Sequence, residues 1–510
     1  MRALASVRLR LFLIAWIVFG VHFATNVVRE HYPAFALIER GDFFLDDYAG
    51  FHADIYFHPV TRHWVVGNQV LGSLPAVLPL LVFDPALDAL QNWELAHWAQ
   101  RAQDAEYATD RPNRAAFFRA VRDRGLLLRF GASAALTSLL LMAPFGAGLV
   151  ALMHRVLEQR GVSPRRAAAL ALLFGLGTPV FYRSAHLVHN MFLLGAVFGA
   201  LLLLWRAPGD AAPQASRRVF WAGVLAGSCL ALDYAGAIAL AALGLYLALP
   251  RWREAGFARA LRESLPFVAG VLPPLLFLLA TQAWMYGDPF TPGQMHQQEN
   301  EFTARGVRGI DWPSLDVFAR NLFDDAWGLI PWTPFLALAF LPSRWLGGDP
   351  ARWILPRRER RFVAAFAWAF LLFCAMNQFS LLQWNTGFRY LLPLVPLWFL
   401  AAADWLGRMP RPAFAVIAAA SIAHMWVLSM SRFQQPSSGY TGEAVPLACW
   451  REILTHGPQL PWLTVLRQTV SDPASPIHWT ALPSLILVAA FAVCAWIWRA
   501  GEREAARSER

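Results

Sequence analysis

Lysine is absent from this chain: all 44 residues counted as Lys+Arg are arginine. A GC-rich coding bias is enough to produce that, but it has a chemical consequence. Any cationic side chain other than histidine that meets an anion here is a guanidinium, which binds carboxylate or phosphate through two parallel hydrogen bonds. Charge of either sign is scarce, at 15% of 510 residues, against 57% hydrophobic residues and a mean hydropathy of +0.39. That balance excludes a soluble globular protein. Cysteine is nearly absent, and Cys229, Cys374 and Cys494 lie in apolar runs with only Cys449 in a polar segment. An extracytoplasmic disulfide framework is excluded, and no CxxC or His/Cys metal spacing occurs. The net charge of +10 does not mark a nucleic-acid binder, because the arginines form neither a patch nor a basic helix. Internal repeats and low-complexity segments are also missing.

What is present is a series of apolar runs, clearest at 11–28, 126–153, 191–205, 267–284, 362–376 and 482–498. Crossing the hydrocarbon core takes about 20 such residues. The pattern predicts an all-α, polytopic helical membrane protein of about twelve transmembrane helices. The first run follows MRALASVRLR with no small-residue cleavage site, which predicts a retained signal-anchor helix. Short loops rich in arginine mark the cytoplasmic side. They are 154–166, 206–218, 251–262 and 344–361, the last with six arginines, and both termini share this character. The alternate loops are poorer, and they are assigned to the outside.

One apolar stretch breaks the alternation. Counting 65–83 as a span would reverse every later loop, so it is expected to skim or re-enter the membrane, consistent with Gly67, Gly72, Pro75 and Pro79 within it. The first outer loop then runs from 29 to 125, with 94–124 expected as a helix on the membrane surface. The stretch 219–250 is too long for one span and is expected to be two helices meeting outside at Asp233. Further outer loops fall at 287–323 and 431–480. Two parts result: 1–430, a transmembrane domain with the first outer loop, and 431–510, an outer loop, a last span and a cytoplasmic tail.

Under this layout the unusual polar residues gather on one face. The first outer loop brings Glu30, Asp42, Asp46, Asp47, His52, Asp54 and His58; later loops bring Arg183, His186, His189, Asp233, His296, Glu301, Asn385 and Arg389. Ionisable groups crowded at a lipid boundary point to a functional site. Carboxylates near guanidinium groups there suit one chemistry: a carboxylate takes a proton from an acceptor hydroxyl while an arginine steadies a leaving phosphate.

The layout, with the strings VVREHYPAFALIERGDFFLDDY, LGTPVFYRSAHLVHNMF, YGDPFTPGQ and WNTGFRYLLPLVP, resembles the GT-C superfamily of polytopic glycosyltransferases. That superfamily includes protein O-mannosyltransferases and lipid A aminoarabinose transferases. The resemblance implies a catalytic acid just past the first span, followed by juxtamembrane helices. The family's Asp-Glu is replaced here by Arg29-Glu30, leaving Glu30 as the match and Asp46-Asp47 as a second acidic region. The family's basic residue before the juxtamembrane proline is replaced by Asn68 or Gln69, so the phosphate contact is expected from Arg389 and Arg183.

Glu30, Asp46 and Asp47 are therefore the expected catalytic acids. Asp54, His52, Asn68, Arg183, His186, His189, Asp233 and Arg389 are the expected substrate contacts. The sequence names no cofactor; a divalent metal is the alternative source of positive charge. The implied partners are a polyprenyl-phosphate sugar donor, an extracytoplasmic acceptor (glycan, lipid or protein) and the bilayer, in a bacterial inner membrane with the site facing outward and transfer expected to be inverting. Two other classes remain: a secondary transporter of the same span count, and a non-catalytic subunit of an envelope assembly.

Overall fold

The computed structural model describes residues 2–98, 112–205, 215–297, 299, 303–349, 353–381, 386–431, 445–463, 466 and 481–508. Glu301 and Asn385 lie outside the described residues, as does most of the 431–480 loop. The described chain is helical, and the apolar runs form helices because hydrocarbon offers backbone amides no other partner. The first helix, Val7–Val21, packs between Leu127–Gln159 and the last helix, Leu482–Ser508. Arg10 ties it to the last helix by donating to the Trp498 carbonyl at 3.2 Å. Then come Pro164–Leu176, His189–Leu204, Ser216–Leu232, Gly236–Ala255, Phe257–Tyr286, Arg357–Met376, Val395–Leu406 and Arg411–Met430. Ser216–Leu232 and Phe257–Tyr286 touch backbone to backbone: a Cβ on Gly223 would stand 2.1 Å from the Phe267 carbonyl oxygen. Small residues permit such crossings in membranes, where van der Waals packing drives helix association.

The expected helix pair around Asp233 is present. Asp233 caps Ser216–Leu232 in an extended conformation, and its Oδ1 accepts the Ala235 amide at 2.9 Å, opening Gly236–Ala255. Between the outer loop that ends at 323 and the arginine-rich loop that opens at 344, the chain forms a short helix, Leu329–Trp332, and a 3-10 turn, Pro334–Phe340. Pro331 and Pro334 interrupt the amide ladder there.

The first outer loop differs most from expectation. Helix His31–Arg40 leads to an antiparallel hairpin, Ile55–His58 with His63–Val66, and then to a regular helix, Leu74–Trp98, with Pro79 and Pro85 inside it. The surface helix expected at 94–124 is instead divided, Glu94 belonging to that helix and Pro112–Asp123 forming another. By length and composition Leu74–Trp98 could cross a membrane. Its contacts keep both of its ends at one face. Gly72, just before it, packs on His189, where a Cβ would lie 2.7 Å from the histidine Cβ. Near its other end Glu94 accepts the Leu127 and Leu128 amides at 3.3 and 2.7 Å. These amides begin the Leu127–Gln159 helix and have no partner within it. His189 and Leu127 both begin helices, and the hairpin of Leu127–Gln159 with Pro164–Leu176 returns the chain to the same end before His189. The helix therefore lies along the bundle without crossing. Arg129 fastens its inner side, reaching Asp84 at 3.0 Å and Glu39 at 3.3 Å, with Asp88 also in contact.

Candidate active site

The corner after the first helix is built around His31. Its Nδ1 accepts the Val28 amide at 3.1 Å and its Nε2 faces Thr137 Oγ1 at 2.9 Å. Thr137 spends its own hydroxyl proton on the Ser133 carbonyl, so Nε2 is the donor. Burial pulls this imidazole down to about 4, leaving it neutral at pH 7. This fixed turn aims Arg29 and Glu30 at the interior of the outer loop.

Arg29 then gathers groups from distant segments. Its Nη1 donates to Asp54 Oδ2 at 2.9 Å, and its Nε lies 3.5 Å from Glu30 Oε1. With the Asn68 amide oriented to satisfy both groups, Asn68 Oδ1 accepts from Arg29 Nη2 at 2.7 Å and Nε at 2.8 Å. His189 joins through Nδ1, 2.6 Å from Glu30 Oε1, and through Nε2, 3.2 Å from Asp233 Oδ2. Burial alone would raise the Glu30 pKa, but the Arg29 charge and then the His189 hydrogen bond hold it well below the usual carboxylate range. Asp54 behaves alike: burial opposes its charge, while Arg29 and His52 overcome that and lower it. Burial pushes His52 down, partly offset by Asp54.

These groups border a cavity of about 240 Å³, onto which Arg29, Asp54, Asn68, His189, Asp233 and Arg389 all open. Arg308 and Tyr390 complete the charged and aromatic wall. The cations differ in how committed they are. Arg29 is engaged by Asp54, Asn68 and Glu30. Arg308 donates to the Gln297 carbonyl at 3.3 Å. The Arg389 guanidinium rests over the Tyr390 ring at 4.7 Å and has no hydrogen bond or ion pair among the described residues. The Asp54 Oδ1 atom likewise accepts no hydrogen bond among the described residues, and the Asp54 side chain is 25% exposed.

Other expected residues stand elsewhere. Glu30 is buried behind Arg29 and His189 and does not line the cavity. Asp46 and Asp47 are exposed and serve local structure. Asp46 accepts the Trp64 amide at 2.9 Å and pairs with His63 at 2.8 Å, and Asp47 pairs with Arg40. His52 sits one turn back, its Nδ1 accepting the Asp54 amide at 3.0 Å. Arg183 and His186 are buried and face each other at 3.3 Å, with Arg183 between the Tyr182 and Phe388 rings. Neither lines the cavity. Sequence reasoning passed over Arg29 and Arg308 as site residues. The available signal was their position: Arg29 directly follows a span, and Arg308 stands in the turn-forming string RGVRGI. No group of three or more His, Cys, Asp or Glu among the described residues is placed to hold a metal ion.

Nearly the whole chain superposes on ArnT from Cupriavidus metallidurans. Against its structure bound to undecaprenyl phosphate the TM-score is 0.52 at 14% identity, covering 98% of this chain and 75% of that one. The two proteins share a fold. Against the apo ArnT structure the TM-score is 0.50 at 14% identity, covering 97% and 75%. No family model and no curated protein matches the sequence. The likeness to ArnT is therefore one of fold, and with the apolar helices it makes this chain a multi-pass membrane protein.

Proposed function

We propose that this protein is a membrane glycosyltransferase that moves a sugar from a polyprenyl-phosphate donor to an acceptor outside the cytoplasm. One observation carries the reading: an ionised carboxylate with an open oxygen, Asp54, and an uncommitted guanidinium, Arg389, share one cavity at the ends of the spans. The GT-C-like fold, shared with ArnT bound to undecaprenyl phosphate, supports a lipid-linked donor.

In this reading Asp54 Oδ1 takes the proton of the acceptor hydroxyl as its oxygen attacks the anomeric carbon. The bond from that carbon to the phosphate oxygen breaks, and the polyprenyl phosphate leaves with the electron pair. Arg389, with Arg308 beside it, meets the charge that develops on the phosphate. A single displacement inverts the anomeric centre. Asp54 thus takes the role expected of Glu30, Asp46 or Asp47, because it faces the cavity and they do not. The arginine-rich loops 154–166 and 251–262 lie at the opposite end of the bundle, which supports a site on the extracytoplasmic side of a bacterial inner membrane. Alternating-access transport calls for ionisable groups near mid-depth, whereas this cluster lies at span ends.

The test is release of free polyprenyl phosphate by the purified protein in lipid nanodiscs, given a panel of polyprenyl-phosphate sugars and an envelope extract as acceptor source. Transfer with release from at least one donor is expected. No release from any of them overturns the reading.

A further inference from the structure

His189 stands between two carboxylates, with Glu30 Oε1 at 2.6 Å from Nδ1 and Asp233 Oδ2 at 3.2 Å from Nε2. A neutral imidazole has one N–H and one lone pair, so it can donate to only one of them. The other contact would set a lone pair against a carboxylate oxygen. Only the imidazolium, with two N–H groups, satisfies both. The remaining charged neighbour is Arg29, whose Nη2 lies 3.4 Å from Nδ1. From the turn before Leu74–Trp98, Gly72, which carries no charge, packs on the histidine. A second cation beside Arg29 is tolerable because Glu30, Asp54 and Asp233 surround the pair.

The two carboxylates are not equivalent. Glu30 is sealed off, with 8% of its side chain exposed, and it does not open onto the cavity. Asp233 opens onto it with 22% of its side chain exposed, and both of its oxygens are held, Oδ2 by His189 and Oδ1 by the Ala235 amide. Asn190 and Gln294 open onto the same cavity and offer further neutral hydrogen-bonding groups. A carboxylate fixed in rotamer beside amides suits recognition of sugar hydroxyls rather than proton transfer.

We infer that Glu30 is a positioning residue: it holds His189 as an imidazolium, and the imidazolium fixes Asp233 at the cavity wall to accept hydrogen bonds from the donor sugar. The sugar's part in this rests on the glycosyltransferase reading; the charge state of His189 does not.

The test uses the full chain in lipid bilayers, labelled with ¹⁵N-histidine, with the His189 signals assigned by their loss in His189→Gln. At pH 8 the wild type is expected to show His189 with both nitrogens protonated. Glu30→Asp should keep that signature, while Glu30→Gln should shift His189 to the neutral form. A neutral His189 in the wild type, or an unchanged imidazolium in Glu30→Gln, overturns the inference. Kinetics give a second readout. Glu30→Gln should raise the donor KM by about tenfold at pH 8, the order lost with one charge-assisted hydrogen bond, and by less at pH 6, with kcat little changed. Loss of kcat at constant KM would make Glu30 catalytic and overturn the inference. If the wild type transfers no sugar, the proposed function fails, and the nitrogen signals still decide the state of His189.

Discussion

Arg29 Nη1 lies 2.9 Å from Asp54 Oδ2, and this ion pair joins the end of the first span to the segment that opens the hairpin. Both side chains are mostly buried, so removing one partner leaves the other charge poorly solvated. Arg29→Met is expected to destabilise the protein by about 2 kcal/mol and to disorder the cavity wall. Thermal unfolding in detergent checks this. A wild-type melting temperature in Arg29→Met would remove the pair from the fold's supports.

Asp54→Asn should lower kcat by about 10² to 10⁴, the usual worth of a general base. The sign of its pH dependence follows from its lowered pKa. A carboxylate depressed in the folded state is ionised above that value. Its stabilising contribution is complete above the unfolded value of about 3.9 and is lost as pH falls through the folded value. The wild-type rate should therefore show no acid limb from this group between about pH 5 and 7. A kcat that falls with a midpoint in that window, and loses that limb in Asp54→Asn, would contradict the assignment.

Arg389→Ala should raise the donor KM more than it disturbs folding, because the guanidinium has no ion pair to lose among the described residues. Arg389→Lys should recover donor use only in part, since an ammonium lacks the paired donors of the guanidinium. Unchanged donor kinetics in Arg389→Ala would shift the phosphate contact to Arg308.

Much of this was legible in sequence. Asp233 read as a break between two helices, because an aspartate between two apolar runs suits a cap. Asp54, Asn68, His189, Asp233 and Arg389 stood out by type and place. Their convergence was not legible, because it depends on one guanidinium at Arg29 drawing together segments separated along the chain. Asp46 and Asp47 drew attention as a pair, yet paired aspartates also suit turns and caps, which is the use made of them here. Leu74–Trp98 kept its helix through two prolines because its neighbours, not its propensity, decide where it lies.

Topology offers a direct check on that helix. Reporter fusions at Arg62, in the hairpin turn, and at Asp123, after the helix, should report the same side. A fusion at Arg160 should report the other. Opposite results for Arg62 and Asp123 would mean that Leu74–Trp98 crosses the bilayer.

Leu74–Trp98 also carries large apolar side chains on its free side: Leu78, Leu81, Val82 and Phe83 are exposed, as is Trp93. Its other side is pinned to the bundle by Arg129 and Glu94. Such an amphipathic element suits the level where hydrocarbon meets headgroups, and Gly72 at its start packs on His189 of the cavity wall. Bilayer thickness is then expected to set the geometry of the cavity: a thicker or thinner leaflet should shift the helix against the rest of the bundle, at a cost of fractions of a kcal/mol per Å.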